Sequence, residues 1–254
     1  MNIILGLGLT LILGICVLVG ALIVKLVKNS DSFLEFSISL GITVMVLLSL
    51  FELMPETLEN INSNFNFGIS VIIVIFAIVF GITTLRILDS YIPDHEIIDE
   101  NKKSLNSNLF HIGIMSSIAI MIHNVIEGMA VYATFMSSMS LGVLVSIGVG
   151  IHNIAMGIVI SSTLSKSSKS RIEKVTMLGL VTVSTLAGGI LVVLNQSMVD
   201  NTLILGLLLS LTIGMLIYIV MFELLPRFLE FKNKNTKILG ILLGMITMLV
   251  SFLI

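Results

Sequence analysis

His123 and Glu127 stand four residues apart in the apolar run Met121-Ile122-His123-Asn124-Val125-Ile126-Glu127-Gly128. His152 lies in a second such run, Gly150-Ile151-His152-Asn153-Ile154-Ala155-Met156-Gly157. Residues at i and i+4 share a helix face, and ionisable side chains inside long apolar segments are costly and usually functional. Two imidazoles and a carboxylate in a dry interior are most simply read as a site for a divalent metal such as zinc or iron(II). Met156 would add a softer ligand. If Ser137-Ser138-Met139-Ser140 is the tip of a helical hairpin, His123 precedes position 138 by fifteen residues and His152 follows it by fourteen. At about 1.5 Å per residue both imidazoles then lie roughly 20 Å from the tip, at one depth near the middle of a bilayer.

The elements that must hold these residues are set by composition. The chain has 254 residues, 56% hydrophobic and 11% charged, with no Trp, and its mean hydropathy is +1.14. This is the composition of an all-α polytopic membrane protein rather than a soluble domain. A net charge of −2 argues against a nucleic-acid partner, and the lone Cys16 cannot form an intrachain disulfide. The stretch Asn2 to Val24 has no basic residue before its apolar core and Lys25 and Lys28 after it, so it reads as an uncleaved first span. Eight segments meet the requirement of about 20 apolar residues: approximately 3–24, 34–57, 67–88, 109–135, 140–164, 175–195, 202–225 and 238–254.

Charge placement orients them. With the amino terminus outside, the inner connections hold Lys25 and Lys28; Arg86, Lys102 and Lys103; Lys166, Lys169, Arg171 and Lys174; and Arg227, Lys232, Lys234 and Lys237. These are all 13 basic residues, and the outer loops 58–66, 136–139 and 196–201 hold none. The positive-inside bias therefore predicts both termini outside.

Phe51-Glu52-Leu53-Met54-Pro55-Glu56-Thr57-Leu58-Glu59 is echoed by Phe222-Glu223-Leu224-Leu225-Pro226-Arg227-Phe228-Leu229-Glu230. In the predicted topology the first copy ends span 2 at the outer face and the second ends span 7 at the inner face. The expectation is one transmembrane domain over 1–254 in an inverted 3+2+3 arrangement: spans 1–3 within 1–90, the central pair within 109–164, and spans 6–8 within 174–254. Such inverted repeats place substrate at their interface near the midplane.

Eight spans, His-Asn-x-x-Glu-Gly in the fourth, a His-led motif in the fifth and Glu-Leu-x-Pro in the second and seventh together resemble the ZIP (Zrt-, Irt-like) family of metal-ion transporters, over nearly the whole chain. The resemblance implies a multi-pass protein of the cell membrane, a bacterial plasma membrane in this reading. It implies inward movement of zinc foremost, or of iron, manganese or cadmium, along spans 4 and 5, with no enzyme activity and no organic cofactor. The ion and the bilayer are the expected partners, and a homodimer is compatible. Carried over, His123, Asn124 and Glu127 match the fourth-span ligands, and His152 and Asn153 the first two of the fifth. The chain departs from the family at Met156, where a Glu is common, and at Gly188-Gly189 after Ser184-Thr185-Leu186-Ala187, where another Glu is common. Ile126 and Ala155 replace the proline of many members. One carboxylate remains where the family often has three, so a single ion held by His123, Glu127 and His152 is expected, with Met156 or water completing the shell.

Plainer roles exist for several residues. Asn124 and Asn153 can serve as interhelical hydrogen-bond glue, and Met156 as packing. Gly128, Gly157, Gly148 and Gly150 are expected to let spans 4 and 5 pack closely. Glu52, Glu56 and Glu59 are either a cation-attracting outer mouth or ordinary interfacial charge. Asp94-His95-Glu96 and Asp99-Glu100 could collect released metal, although a solvated linker is the simpler reading. Besides transport, two functions are weighed: a transport-deficient metal-binding or sensor relative, and an intramembrane metal-dependent hydrolase. The hydrolase lacks a His-Glu-x-x-His string and a second midspan carboxylate to serve as base.

Overall fold

A computed structural model describes residues 2–27, 30–91, 105–137, 139–166, 170–195 and 201–253. Its regular structure is entirely helical, in eight helices long and apolar enough to cross a membrane. They are α1 (Asn2–Val27), α2 (Asp31–Asn62), α3 (Phe67–Tyr91), α4 (Leu105–Ser137), α5 (Met139–Lys166), α6 (Arg171–Leu194), α7 (Thr202–Glu230) and α8 (Lys234–Leu253). The residues 94–100 considered as a metal collector lie outside the described residues.

Short polar side chains start the helices by satisfying first-turn N–H groups that have no intrahelical acceptor. Ser30 Oγ accepts from Phe33 N, Asn66 Oδ1 from Ile69 N, Asn201 Oδ1 from Ile204 N and Asn233 Oδ1 from Thr236 N. Ser170 and Glu173 form a reciprocal capping box at the start of α6.

Helices α2 and α7 run further than the hydropathy pattern places them, through 58–62 and 226–230, although each contains a proline. The reason is a π turn just ahead of it. Over Ser49–Leu53 and Ile219–Leu224 the backbone widens, so that Met54 N donates to Ser49 O and Leu225 N to Val220 O. One extra residue per turn absorbs the crowding and the missing N–H of Pro55 and Pro226, and the helix continues. The two echoed sequence segments thus share one backbone device.

Burial sorts the helices. In the apolar windows of α4, α5 and α7, 67% of residues are buried, against 17% in α3 and α8, whose outward faces carry exposed Ile, Leu, Phe and Met side chains. Around the central α4–α5 pair, α4 packs on α6 and α5 on α1; α2 pairs with α8 and α3 with α7; α5 also touches α2, and α4 touches α7. Each pairing named has its counterpart when α1, α2, α3 and α4 are exchanged with α6, α7, α8 and α5.

Glycines set the closest approaches, but across different seams from the expected one. A Cβ on Gly128 would overlap the Thr185 carbonyl of α6, and one on Gly188 the Val125 carbonyl of α4. One on Gly157 would overlap the Val17 carbonyl of α1, and one on Gly20 the Ile154 carbonyl of α5. Gly148 faces Ser251 of α8 and Gly150 faces Cys16 of α1. These glycines therefore seat the outer helices onto α4 and α5. Periodicity explains the difference: Gly128 and Gly157 follow the histidines by five residues, about 140° around the helix, so the faces that meet carry the polar residues and the glycines lie behind. Gly142, against the backbone of Phe135, makes the close contact near the hairpin turn.

A methyl group at Gly188 or Gly157 meets rigid backbone and must spread two helices, whereas Gly8 and Gly179 have nothing within 4 Å of an added Cβ. Gly188→Ala and Gly157→Ala are expected to destabilise the protein by about 1–3 kcal/mol. Gly8→Ala and Gly179→Ala should be neutral or mildly stabilising through helix propensity. Thermal unfolding of the detergent-purified variants separates the two pairs.

Candidate metal centre

Helix α4 contributes His123, Asn124 and Glu127, and α5 contributes His152 and Asn153. All five are buried, with His123 2%, Glu127 9% and His152 0% exposed. Helix α4 ends at Ser137 and α5 begins at Met139, and counting from those ends puts the two histidines side by side, as the sequence predicts. Their ring centroids are 6.1 Å apart.

Glu127 is the centre of the group. Its Oε1 lies 2.6 Å from His152 Nε2, a hydrogen bond in which the ring N–H donates, and 3.6 Å from His123 Nε2 one turn back on its own helix. Its other oxygen, Oε2, accepts from Asn153 Nδ2 at 3.1 Å. One ligand atom from each of His123, Glu127 and His152 falls within a set whose members lie within 4.8 Å of one another. Ligands about 2.0–2.1 Å from a tetrahedral zinc are about 3.3 Å apart, so the His123–Glu127 spacing already suits an ion. The 2.6 Å contact has to open by less than about 1 Å, which side-chain rotation supplies. To coordinate through Nε2, His152 must lose that proton or carry it on Nδ1 instead. Four polar atoms of the cluster, His123 Nε2, His152 Nδ1, Asn124 Oδ1 and Asn153 Oδ1, have no hydrogen-bond partner among the described residues. Buried polar atoms are normally paired, so this concentration at one spot marks it as built for something other than packing.

The remaining candidates divide. Asn124 Nδ2 donates to Val181 O of α6 at 3.3 Å, tying α4 to its neighbour. Asn153 lies within 3.4 Å of Leu13 O on α1 as well as donating to Glu127, so it braces the carboxylate. Met156 is fully buried within the main apolar cluster. Gly188 has no room for the carboxylate some relatives would carry there, because even a Cβ meets the Val125 carbonyl. Glu52 of α2, one of the three glutamates the sequence leaves as outer-mouth or interfacial charge, is partly buried, and its Oε2 is shielded from solvent with no hydrogen-bond partner among the described residues.

The model of the family described as ZIP Zinc transporter matches residues 93–251. The chain belongs to the ZIP zinc transporter family. Full-length relatives agree with this. A protein of Streptococcus mutans serotype c named zinc transporter ZupT is 30% identical over 97% of this chain and 96% of its own. ZupT proteins of Chlorobium limicola and Chlorobium chlorochromatii are 32% and 28% identical, over 98% and 100% of this chain and 97% and 98% of theirs. With its eight apolar helices, this ZIP chain is a multi-pass membrane protein.

Bracing by Asn153 fixes which carboxylate oxygen faces the imidazoles. Groups that orient a metal ligand typically contribute 10–100-fold in affinity, so Asn153→Ala is expected to weaken zinc binding by about tenfold or more, read by calorimetric titration of the purified protein.

Proposed function

We propose that this ZIP protein carries a zinc-like divalent cation toward the cytoplasm, holding it mid-membrane between His123, Glu127 and His152. The observation that carries the reading is the buried cluster itself: one carboxylate and two imidazoles from two helices, converging where water is scarce. The zinc named in the relatives' descriptions fits this donor set, since two nitrogens and one oxygen suit borderline divalent ions. A bound dication also offsets the burial cost of Glu127 and gives His123 Nε2 a partner.

Three protein ligands leave a tetrahedral ion one position short. For a carrier that is an advantage, because water entering from either side can complete the shell and draw the ion out. Exchange of access between the two faces is assigned to relative movement of two halves, α1–α3 and α6–α8, about α4 and α5. The matched π turns and the exchangeable helix pairings support an inverted 3+2+3 relation between the halves within one transmembrane domain. A carrier is favoured over a hydrolase because Glu127, the carboxylate of the cluster, is engaged by both His152 and Asn153 and is not left as a base to activate water. The reading calls for the ion and the bilayer, with no organic cofactor.

Zinc uptake into proteoliposomes tests it directly. Wild-type protein should transport zinc, whereas His123→Ala and Glu127→Ala, with unfolding temperatures near wild type, should fall to the level of empty vesicles. Met156→Glu, which adds an oxygen ligand one turn from His152, should raise manganese uptake relative to zinc. The inverted relation is checked by single cysteines at the exposed positions Glu59 and Glu230 in a Cys16→Ser background: an impermeant maleimide applied to intact cells should label the first and not the second.

A further inference from the structure

We propose that Glu52 of α2 is a transient ligand on the outer approach, additional to the three of the central cluster, which takes a hydrated divalent cation from the Glu56 and Glu59 end of the helix and passes it to His123, Glu127 and His152. The inference rests on the proposed transport function and adds the route by which the ion reaches the site.

Glu52, Glu56 and Glu59 occupy i, i+4 and i+7, one stripe of α2. Glu59 is exposed, and Glu56 and Glu52 are partly buried. The Oε2 atom of Glu52 is shielded from solvent and has no hydrogen-bond partner among the described residues. An ionised oxygen in that position is costly unless a cation offsets it or the carboxyl takes up a proton, and a visiting divalent cation supplies the first.

Helix packing sets its height. Gly41 of α2 seats against the Val159 side chain of α5, and helices three spans apart run in opposite directions. From that contact His152 lies seven residues along α5 and Glu52 eleven along α2, about 10 Å and 16 Å respectively. Glu52 is thus roughly one helical turn, about 6 Å, beyond His152 toward the Glu59 end. Glu56 and Glu59 continue the stripe about one and two turns further from the cluster. His123 Nε2, buried and without a hydrogen-bond partner among the described residues, lies 3.6 Å from Glu127 Oε1 on the far side of that step. Carboxylates spaced by about one turn let an ion exchange one oxygen ligand for the next without being stripped of charge compensation between them.

The π turn at Ser49–Leu53 helps to aim Glu52, since one extra residue in a turn rotates the side chains it carries relative to the regular helix before it. Helix α7 has the same turn and proline, but Arg227 stands where α2 has Glu56, and its guanidinium NH1 binds Glu230 at 2.7 Å. Two of the three carboxylates recur on α7 as Glu223 and Glu230, so Glu56 is the position that sets the α2 stripe apart.

Zinc uptake kinetics in proteoliposomes test the assignment. Glu52→Gln keeps the shape and removes the charge; KM should rise about tenfold, equivalent to about 1.4 kcal/mol, with kcat within about twofold. Glu52→Asp should restore most of the loss. An unchanged KM in Glu52→Gln, or a rise that Glu52→Asp does not reverse, overturns the assignment. If Glu52→Gln does not yield folded protein, Glu56→Gln replaces it, with an expected KM increase of about threefold and an unchanged KM again overturning the proposal. Absence of zinc uptake by the unmutated protein would instead remove the transport function on which this route depends.

Discussion

Glu127 has to keep a carboxylate in an apolar interior, and the surrounding structure is shaped by how that cost is met. Burying an ionised group without partners is far more expensive than any single packing contact. Here both oxygens are engaged, one by His152 and the other by Asn153, and both partners come from the neighbouring helix. Helices α4 and α5 must therefore present polar faces to each other at a fixed register. That leaves their opposite faces to do the packing, which is where Gly128 and Gly157 lie. Backbone-to-backbone seats against α6 and α1 hold the pair from behind, so the polar seam can stay loose enough to admit an ion while the bundle remains tightly packed.

A second constraint acts on α2 and α7. Proline within a membrane-spanning helix frees a carbonyl that lipid cannot satisfy, yet both helices continue past theirs. The π turns before Pro55 and Pro226 resolve this by shifting the hydrogen-bond pattern by one residue. The same shift alters the angular phase of everything beyond it, so the device that keeps the helix intact also decides where Glu52 points. Backbone repair and site construction are here one structural event.

The number of helices and their central pair were legible from sequence because both depend on one-dimensional quantities. Span count reflects apolar length, and the pairing of His123 with His152 reflects equal distances to a turn, which hairpin geometry must respect. Features that depend on rotation about helix axes were not legible. The glycines were assigned to the wrong seam because nothing in the chain states which neighbour lies behind α4 or α5. Asn153 looked like a ligand or glue, but its approach to Leu13 O depends on α1 being the helix at its back. Glu52 was read with Glu56 and Glu59 as outer-mouth or interfacial charge because the chain does not state how deeply each is buried, and α2 and α7 were ended at 57 and 225 because apolar length stops there, although both helices continue through polar residues to Asn62 and Glu230.

The charge balance of the site changes accordingly. Counted along the fourth, fifth and sixth spans alone, one carboxylate faces two imidazoles, since Met156 packs in the core and Gly188 has no space for a side chain. On α2 a further carboxylate, Glu52, is partly buried, with one oxygen shielded from solvent and without a hydrogen-bond partner among the described residues. The seventh helix carries the matching backbone with Arg227 at the position of Glu56. On the proposed route a dication would pass Glu59, Glu56 and Glu52 before it reaches Glu127, whereas the matching end of α7 carries Arg227 ion-paired with Glu230. The repeated backbone gives the two halves similar scaffolds, and a difference of side-chain charge at one matched position makes their environments unequal for a cation. On the proposed route that inequality would leave the overall equilibrium across the membrane unchanged but would lower the barrier to reaching the site from the Glu59 end, the end that the positive-inside bias predicts to face outside.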